Sequence, residues 1–294
     1  MRNVATCALC LEEKELQESH IIPKFIGRWF MKTSATGFMR STQNINKRVQ
    51  DLRKEYLLCK KCEQRFSDVE KPFAERIFKP HFRGQTSFPY EEWLKRVVIS
   101  IQWRVILDRK HTITGMSETL LKELDVAQET FRAFLHEETN DSGAFSHHIF
   151  FLDTIETISD DDTLSWDNPN MYFLRSFDIT IASNGHSVLW IYTKLPGMII
   201  ASHIVPNNMS GWEGTSIEDH GTLQIPQVCD VEGFGDFLTS RLEIYKNKPV
   251  ISDQQRNKIE KDIEMNPSIE NTQSYRAIAA DIILKSLKKN NEDN

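Results

Sequence analysis

Four of the five cysteines form two short pairs, Cys7-Ala-Leu-Cys10 and Cys59-Lys-Lys-Cys62. The two-residue gap lets both thiolates of a pair bind one ion from a tight turn, and two such pairs complete the tetrahedral shell of zinc. The alternatives are disulfides, which a reducing cytoplasm disfavours, and a redox-active pair, which lacks a thioredoxin-like strand before a helix. The spacing therefore predicts structural zinc, because four thiolates leave no open position for water.

His20 is the candidate for acid–base chemistry among the 48 residues that separate the two cysteine pairs. It precedes an Ile-Ile-Pro sequence, which predicts a short apolar strand whose regular pairing ends at the proline. After Cys62 a short helix is expected, stopped by Pro72. The alternative for His20 is a strand histidine whose ring packs or hydrogen-bonds locally.

This order of elements resembles the HNH endonuclease family, whose ββα-metal core is often braced by zinc on two such cysteine pairs. The resemblance covers residues 5–75 and is carried by the two cysteine spacings, the His-Ile-Ile-Pro sequence, and Leu-Leu-Cys-x-x-Cys leading into a helix. It implies a treble-clef-like module in which His20 is the general base that takes a proton from water. It also implies catalytic Mg²⁺ or Mn²⁺ on the scissile phosphate of DNA, or of RNA. By analogy with other HNH modules joined to further domains, it implies a part in bacterial defence or toxin systems.

Several positions depart from the family pattern. Ser19 stands where a metal-binding Asp or His often precedes the base, and Glu63 and Ser67 stand where two histidines often follow the second cysteine pair. Carboxylate oxygens suit magnesium and manganese, so Glu63 is expected to bind the catalytic metal. The further candidates for this metal are Glu18, Ser19 and Glu70.

Asn44 and Asn46 are the candidates for the asparagine that orients the base in this family. Both also suit ordinary turns, and a carboxylate such as Glu63 is favoured in the first turn of any helix. These alternatives leave a second function open, which is a catalytically inactive, zinc-stabilised module that binds nucleic acid or protein.

Charge divides unevenly along the chain. Residues 1–90 hold 17 Lys and Arg against 10 Asp and Glu, whereas residues 141–240 hold 2 against 14. A basic N-terminal module suits a polyanion, so nucleic acid is the expected partner, and the acidic region is expected to bind a protein or a second copy. The alternative is that the two regions neutralise each other. The candidate phosphate contacts are Arg28, Lys47, Arg48, Arg53, Lys54, Lys60, Lys61 and Arg65.

The rest of the sequence predicts a larger α+β domain over 86–294, following the zinc-braced module over 1–85. Apolar periodicity predicts helices over 90–109 and 117–137, with Ser117 as an N-cap, and again within 231–288. Between them, β-branched and aromatic runs at 148–152, 171–182, 187–192 and 198–205 predict an antiparallel sheet, with a hairpin at Asn184-Gly185. Three consecutive aspartates are expected in a solvated loop rather than a metal site, namely Asp160, Asp161 and Asp162.

Composition narrows the classes of function. Of the 294 residues, 39% are hydrophobic, which is enough for a substantial core, and no run of 18 apolar residues occurs. The expected protein is therefore cytoplasmic, with no membrane partner and no secretion signal. The sequence contains neither a P-loop nor a Gly-x-Ser-x-Gly elbow, so a P-loop ATPase and a serine hydrolase of that type are excluded.

Overall fold

The computed structural model describes residues 3–41, 44–157, 166–207, 209–246 and 250–292. Within these ranges the chain is a mixed α+β structure of helices and antiparallel sheets, which confirms the expected fold class at this level. The three aspartates of the expected solvated loop, Asp160, Asp161 and Asp162, lie outside the described residues.

Most of the strands belong to two antiparallel sheets, one of three strands and one of four. The strands are β1 (Val4–Thr6), β2 (Glu13–His20), β3 (Met39–Arg40), β4 (Arg48–Val49), β5 (Lys54–Cys59), β6 (Ser87–Tyr90), β7 (Ser146–Phe151), β8 (Asp178–Ser183), β9 (Leu189–Leu195), β10 (Met198–Val205), β11 (Trp212–Glu213), β12 (Gly221–Gln224) and β13 (Val228–Cys229). The three-stranded sheet has the order β1-β2-β5 and the four-stranded sheet the order β7-β10-β9-β8. The two-stranded pairs are β3 with β4, β6 with β12, and β11 with β13.

The helices lie between and after the sheets. They are α1 (Lys24–Lys32), α2 (Lys60–Phe73), α3 (Lys79–His81), α4 (Glu92–Arg109), α5 (Glu118–His136), α6 (Pro169–Arg175), α7 (Phe234–Lys246), α8 (Asp253–Glu264) and α9 (Gln273–Glu292). Short 3₁₀ turns occur at Lys110–Thr112 and Ile269–Asn271. In the part of the chain that the structure describes, no helix combines the length and the apolar character needed to cross a bilayer.

The first sheet positions the predicted catalytic region. His20 is the last residue of β2 and lies opposite Lys54 of β5, while a register shift between Gln17 and Glu18 bends the ladder just before it. The strand therefore ends at the histidine, and the Ile-Ile sequence that was expected to continue it is buried beyond the strand end. Since α2 begins directly after β5, two paired strands and one helix meet around His20.

The expected stop at Pro72 is wrong. Pro72 lies inside α2, and the chain continues through a π-helical stretch, Ala74–Phe78, into α3. Proline lacks the N–H that an interior helical position donates, and the π-helical stretch that follows Pro72 keeps the chain helical as far as α3. The helix that follows the second cysteine pair is consequently longer than the sequence indicated.

Helices cover both faces of the four-stranded sheet. Ile191 in β9 belongs to the same buried cluster as Trp103 of α4, whereas its neighbours Trp190 and Tyr192 face the other side and contact Phe237 of α7. A strand covered on both faces reads as a continuous apolar run, which explains the pattern of β9 and β10. The expected strand over 171–182 is wrong in its first half, because Pro169–Arg175 forms α6.

The buried helix α4 packs against α2, which follows the three-stranded sheet, and against the four-stranded sheet. Trp103 lies with its ring centroid 6.0 Å from that of Phe66 in α2, and both belong to a cluster that includes Cys7 and Leu58. Buried residues on the two sides of position 85 therefore share a core. The domain boundary there stays a prediction.

A stability prediction arises at the start of α5. Ser117 accepts a hydrogen bond from the backbone N–H of Leu120 at 3.3 Å, which confirms the expected N-cap. Replacing an N-cap serine with alanine costs about 1 kcal/mol, so Ser117→Ala should lower the free energy of unfolding by that amount in urea titrations. Ser252 precedes α8 but makes no cap hydrogen bond with its side chain. Ser252→Ala is the matched control, and an equal loss in both variants would contradict the assignment.

Candidate functional site

The two cysteine pairs converge on one point. The sulfur atoms of Cys7, Cys10, Cys59 and Cys62 all lie within 4.8 Å of one another, and Cys10 Sγ is 4.0 Å from Cys59 Sγ. Zn–S bonds of about 2.3 Å in a tetrahedron place sulfurs about 3.8 Å apart, so this donor set fits a metal ion such as zinc. All five cysteines are free thiols rather than disulfides. Among the described residues, these four form the one group of three or more Cys, His or carboxylate ligands this close.

Local backbone geometry stabilises the thiolate form of Cys7, whereas burial raises the pKa of Cys10 and of Cys62. Burial raises the pKa of the Cys7 thiol, but backbone N–H groups of Cys10 and Cys59 outweigh burial and lower its pKa to about 7. The Cys59 N–H lies 3.3 Å from Cys7 Sγ. Arg132 of α5 donates to the Leu9 carbonyl at 3.0 Å and so holds the first cysteine turn from outside. The turn is therefore supported by a helix far along the sequence.

His20 makes a pair with Asp51, which lies in the loop before β5. The His20 Nε2 atom is 2.8 Å from Asp51 Oδ1, and the two side chains are 9% and 41% exposed. Burial raises the pKa of Asp51, but His20 and Lys54 outweigh it, so this pKa lies below its usual range. In the tautomer that carries its hydrogen on Nε2, His20 donates to Asp51, and Nδ1 is then the ring atom with a free lone pair.

Glu63 lies in the first turn of α2 and lines the same groove as His20. The Ser19 hydroxyl, fully buried, donates to Glu63 Oε2 at 2.7 Å. Ser19 therefore contacts a neighbouring carboxylate, and this hydrogen bond holds Glu63 against the strand that carries His20. The structure brings these three predicted residues together.

The other two predicted carboxylates have cationic partners. Glu18 accepts from Lys54 at 2.8 Å, and Glu70 accepts from Arg104 at 2.8 Å. Burial raises the pKa of Glu70, although the charge of Arg104 acts in the opposite direction. Both carboxylates still face the same open groove as His20 and Glu63.

The groove has a volume of about 680 Å³ and carries charges of both signs. Its acidic, basic and titratable side chains include Glu15, Glu18, His20, Glu63, Glu70, Lys24, Lys60 and Arg104. Lys24 and Lys60 are the first residues of α1 and α2, neither of which has a side-chain cap at its N-terminus. A site with carboxylates beside cations suits a metal ion together with an anionic group.

Neither predicted asparagine lies at this site. The Asn44 carbonyl accepts from the Lys47 N–H at 3.0 Å and closes a turn, which matches its alternative interpretation. Asn46 Oδ1 accepts from the Ser252 N–H at 2.8 Å, at the start of α8. Asp51 occupies the position next to the His20 ring instead. The family pattern predicts an asparagine here and therefore does not identify Asp51. Asp51 lies three residues before Lys54, the register partner of His20, and this position could have indicated it.

The basic residues expected to bind phosphate are in part neutralised within the chain. Arg53 pairs with Asp108 at 2.7 Å, and Arg65 lies 3.3 Å from Glu137. Arg48 lies 2.5 Å from an oxygen of Asp262 in α8. Each acidic partner comes from beyond residue 85 but lies outside the acidic region 141–240, so these pairs do not support the alternative in which that region neutralises the basic module.

Comparison of the chain with protein-family models, with curated proteins and with solved structures gives no match. The geometry of the groove and of the cysteine cluster is therefore the basis on which a function is inferred.

Proposed function

We propose that the protein is a metal-dependent nuclease of the HNH type that cleaves DNA, with zinc at the four cysteines as a brace of a treble-clef-like module. The observation that carries the proposal is the hydrogen bond between His20 and Asp51, together with a wide groove that His20 and Glu63 both line. A histidine oriented by a carboxylate is a recurring arrangement of general bases, because the carboxylate fixes the direction and the tautomer of the ring.

Each residue then has a defined task. Asp51 holds the hydrogen on Nε2 of His20, so Nδ1 accepts the proton of the attacking water. Lys24 and Lys60 attract the phosphate chain into the groove, since both line it at helix N-termini.

The residues fit the metal that the HNH resemblance implies. Magnesium commonly binds one or two carboxylates and keeps several waters, so Glu63 would hold Mg²⁺ or Mn²⁺, with Glu18 or Glu70 as the second carboxylate. When bound there, such an ion supplies positive charge to the scissile phosphate and to the leaving oxygen. The Ser19 hydrogen bond to Glu63 keeps this carboxylate directed by the strand that also carries the base.

A second function has its own supporting observation. Glu18 and Glu70 are already paired with cations, and the His20 side chain is only 9% exposed. These contacts favour a catalytically inactive module, in which zinc stabilises the fold and the groove only binds nucleic acid or protein. Metal-supported cleavage separates the two functions.

The test is the nicking of supercoiled plasmid by the zinc-bound protein with added Mg²⁺ or Mn²⁺. Loss of a general base costs about 10²-fold to 10⁴-fold, so His20→Ala should reduce the cleavage rate within that range. Asp51→Asn should cause a smaller loss, because it removes the orienting charge and leaves the base. His111→Ala is the control, since His111 is exposed and outside the groove. Equal cleavage by the wild type and His20→Ala would overturn the proposal, and binding of DNA without cleavage would support the second function.

A further inference from the structure

Arg104 reaches the groove from α4 and is only 2% exposed. Its Nη1 atom donates to the backbone carbonyl of His20 at 2.8 Å, and its Nη2 atom donates to Glu70 Oε1 at 2.8 Å. The Nε atom donates to the Ser100 carbonyl one turn earlier in α4, at 3.1 Å. The guanidinium carbon lies 5.2 Å from the ring centroid of Phe66 in α2. One side chain thus joins β2, α2 and α4.

The contact with the His20 carbonyl acts where the strand ends. His20 is the last residue of β2, and the peptide that follows it has two backbone contacts: the Ile21 N–H donates to the Arg53 carbonyl at 3.2 Å, and the His20 carbonyl accepts from Arg104. The direction of the imidazole depends on the orientation of this backbone unit, because the Cβ atom leaves from it. A charged donor bound to the carbonyl therefore restrains the direction of the ring without touching it.

The contact with Glu70 has a different consequence. The two side chains are 3% and 17% exposed, so the ion pair is nearly closed to water. If one partner of a buried pair is removed, the other charge is left without compensation. Burial raises the pKa of Glu70, and Arg104 acts against burial by favouring the ionised form of this carboxylate at the edge of the groove, which Glu63 also lines.

We propose that Arg104 is a positioning residue of the groove, which aligns His20 and Glu70 from α4 and makes the region after residue 85 part of the site. This inference rests on the proposed nuclease function for its kinetic consequence. Its structural content, the alignment of the His20 backbone by a guanidinium, is independent of cleavage.

Lysine does not replace arginine at this position. A guanidinium presents several donors in a fixed planar fork, so it contacts the His20 carbonyl, Glu70 and Ser100 at once, whereas an ammonium is a single point charge. Arg104→Lys therefore keeps the charge and loses the simultaneous contacts. Arg104→Gln is the second variant, because it keeps a donor for the carbonyl and removes the charge.

The chain offers a matched control in Arg175 of α6. Arg175 is 4% exposed, donates to the Phe30 carbonyl at 2.8 Å, and has its guanidinium carbon 3.9 Å from the Phe30 ring centroid. It therefore has the burial, the backbone acceptor and the aromatic contact of Arg104, but it does not line the groove. Arg175→Lys therefore measures how cleavage and the His20 ring signals respond when a buried arginine outside the groove is altered.

The experiment combines plasmid cleavage kinetics with NMR of the imidazole ring, on the full-length zinc-bound protein. A misplaced general base lowers turnover without weakening substrate binding, so Arg104→Lys should reduce kcat by about 10-fold to 100-fold with KM unchanged. The ring signals of His20 in a proton–nitrogen spectrum, assigned by comparison with His20→Ala, should move in Arg104→Lys and stay in place in Arg175→Lys. Thermal unfolding identifies the folded variants, and Arg104→Gln is measured in the same way.

The outcomes separate this inference from the proposed function. If the wild type does not cleave DNA, the nuclease proposal fails, and the His20 ring signals still test the positioning by Arg104. Unmoved ring signals in both folded Arg104 variants overturn the positioning role, whether or not DNA is cleaved. A fall in kcat that Arg175→Lys reproduces overturns it as well, because the effect then belongs to any buried arginine.

Discussion

Removal of metal from the four cysteines should unfold the N-terminal part of the protein. A chelator should lower the thermal unfolding midpoint strongly and reduce the helical signal, and Cys62→Ser should have the same effect without chelator. Structural zinc contributes about 10–16 kcal/mol of apparent binding energy in small metal-dependent modules, which exceeds the total stability of most domains. This is the largest effect that we expect from any single change in this chain.

The effect should spread beyond the cysteines. Cys7, Cys59 and Cys62 belong to the buried cluster that also contains Trp103 of α4 and Phe131 of α5. When the cysteine turns separate, this core loses part of its covering. We therefore expect the near-ultraviolet signal of buried tryptophan to change together with the helical signal.

Cys229 is the control for this prediction. It is the fifth cysteine, lies in β13, and is outside the four-sulfur cluster. Cys229→Ser should keep one zinc per chain by elemental analysis and should keep the chelator response of the wild type. A chelator that leaves the unfolding midpoint unchanged would show that the four sulfurs hold no structural ion.

Acidification should destabilise the fold through three buried histidines of the four-stranded sheet. Burial lowers the pKa of His147 and of His148 to about 3, and it lowers the pKa of His203 to about 4. The charge of Lys95 also lowers the pKa of His147, and His203 lowers that of His148. In the unfolded chain a histidine binds its proton near pH 6.5. The folded state therefore binds fewer protons than the unfolded state in the window between these values.

The sign of the effect follows from this difference in bound protons. Stability is fully present above pH 6.5 and is lost as the pH falls from there to about pH 4 for His203 and to about pH 3 for His147 and His148. At pH 4.5 each neutral buried histidine costs roughly 2–3 kcal/mol, from 1.36 kcal/mol per unit over two units, so the three together cost roughly 6–9 kcal/mol. Urea titrations at a series of pH values measure this loss directly.

A substitution at His203 gives the most specific test of this pH dependence. Within the described part of the chain neither of its ring nitrogens has a hydrogen-bond partner, and the ring stacks on Trp190 with centroids 5.7 Å apart. Phenylalanine keeps the stacking and removes two unsatisfied polar atoms, so His203→Phe should keep or raise the stability at pH 7. It should also reduce the slope of unfolding free energy against pH by about one proton between pH 6 and pH 5.

An exposed histidine gives the comparison. His186 lies in the exposed loop between β8 and β9, so His186→Phe should leave the slope as it is in the wild type. If His203→Phe keeps the full wild-type slope, the acid sensitivity does not arise from this buried imidazole.

The groove depends on contacts between remote segments more than the cysteine cluster does. The spacing of each cysteine pair is a local property, and the sulfurs converge as predicted because β5 places the second pair beside the first turn. The partner of His20 is not local, since Asp51 is 31 residues away and a loop places it. Asn44 and Asn46 were expected at the site because of a family pattern. The loop instead places Asn44 in a tight turn and Asn46 at the start of α8.

The sequence alone determined the cysteine cluster, the position of His20 near a strand end, the mixed α+β class, and the helices α4 and α5. These features depend on spacing and periodicity within a few turns of chain, where backbone geometry leaves few choices. Only the tertiary structure decided that Asp51 and Arg104 flank His20, and that acidic residues beyond position 85 neutralise Arg53 and Arg65. These contacts form between segments remote in sequence, and the packing of α4 and α5 against the first sheet selects them from many that composition permits.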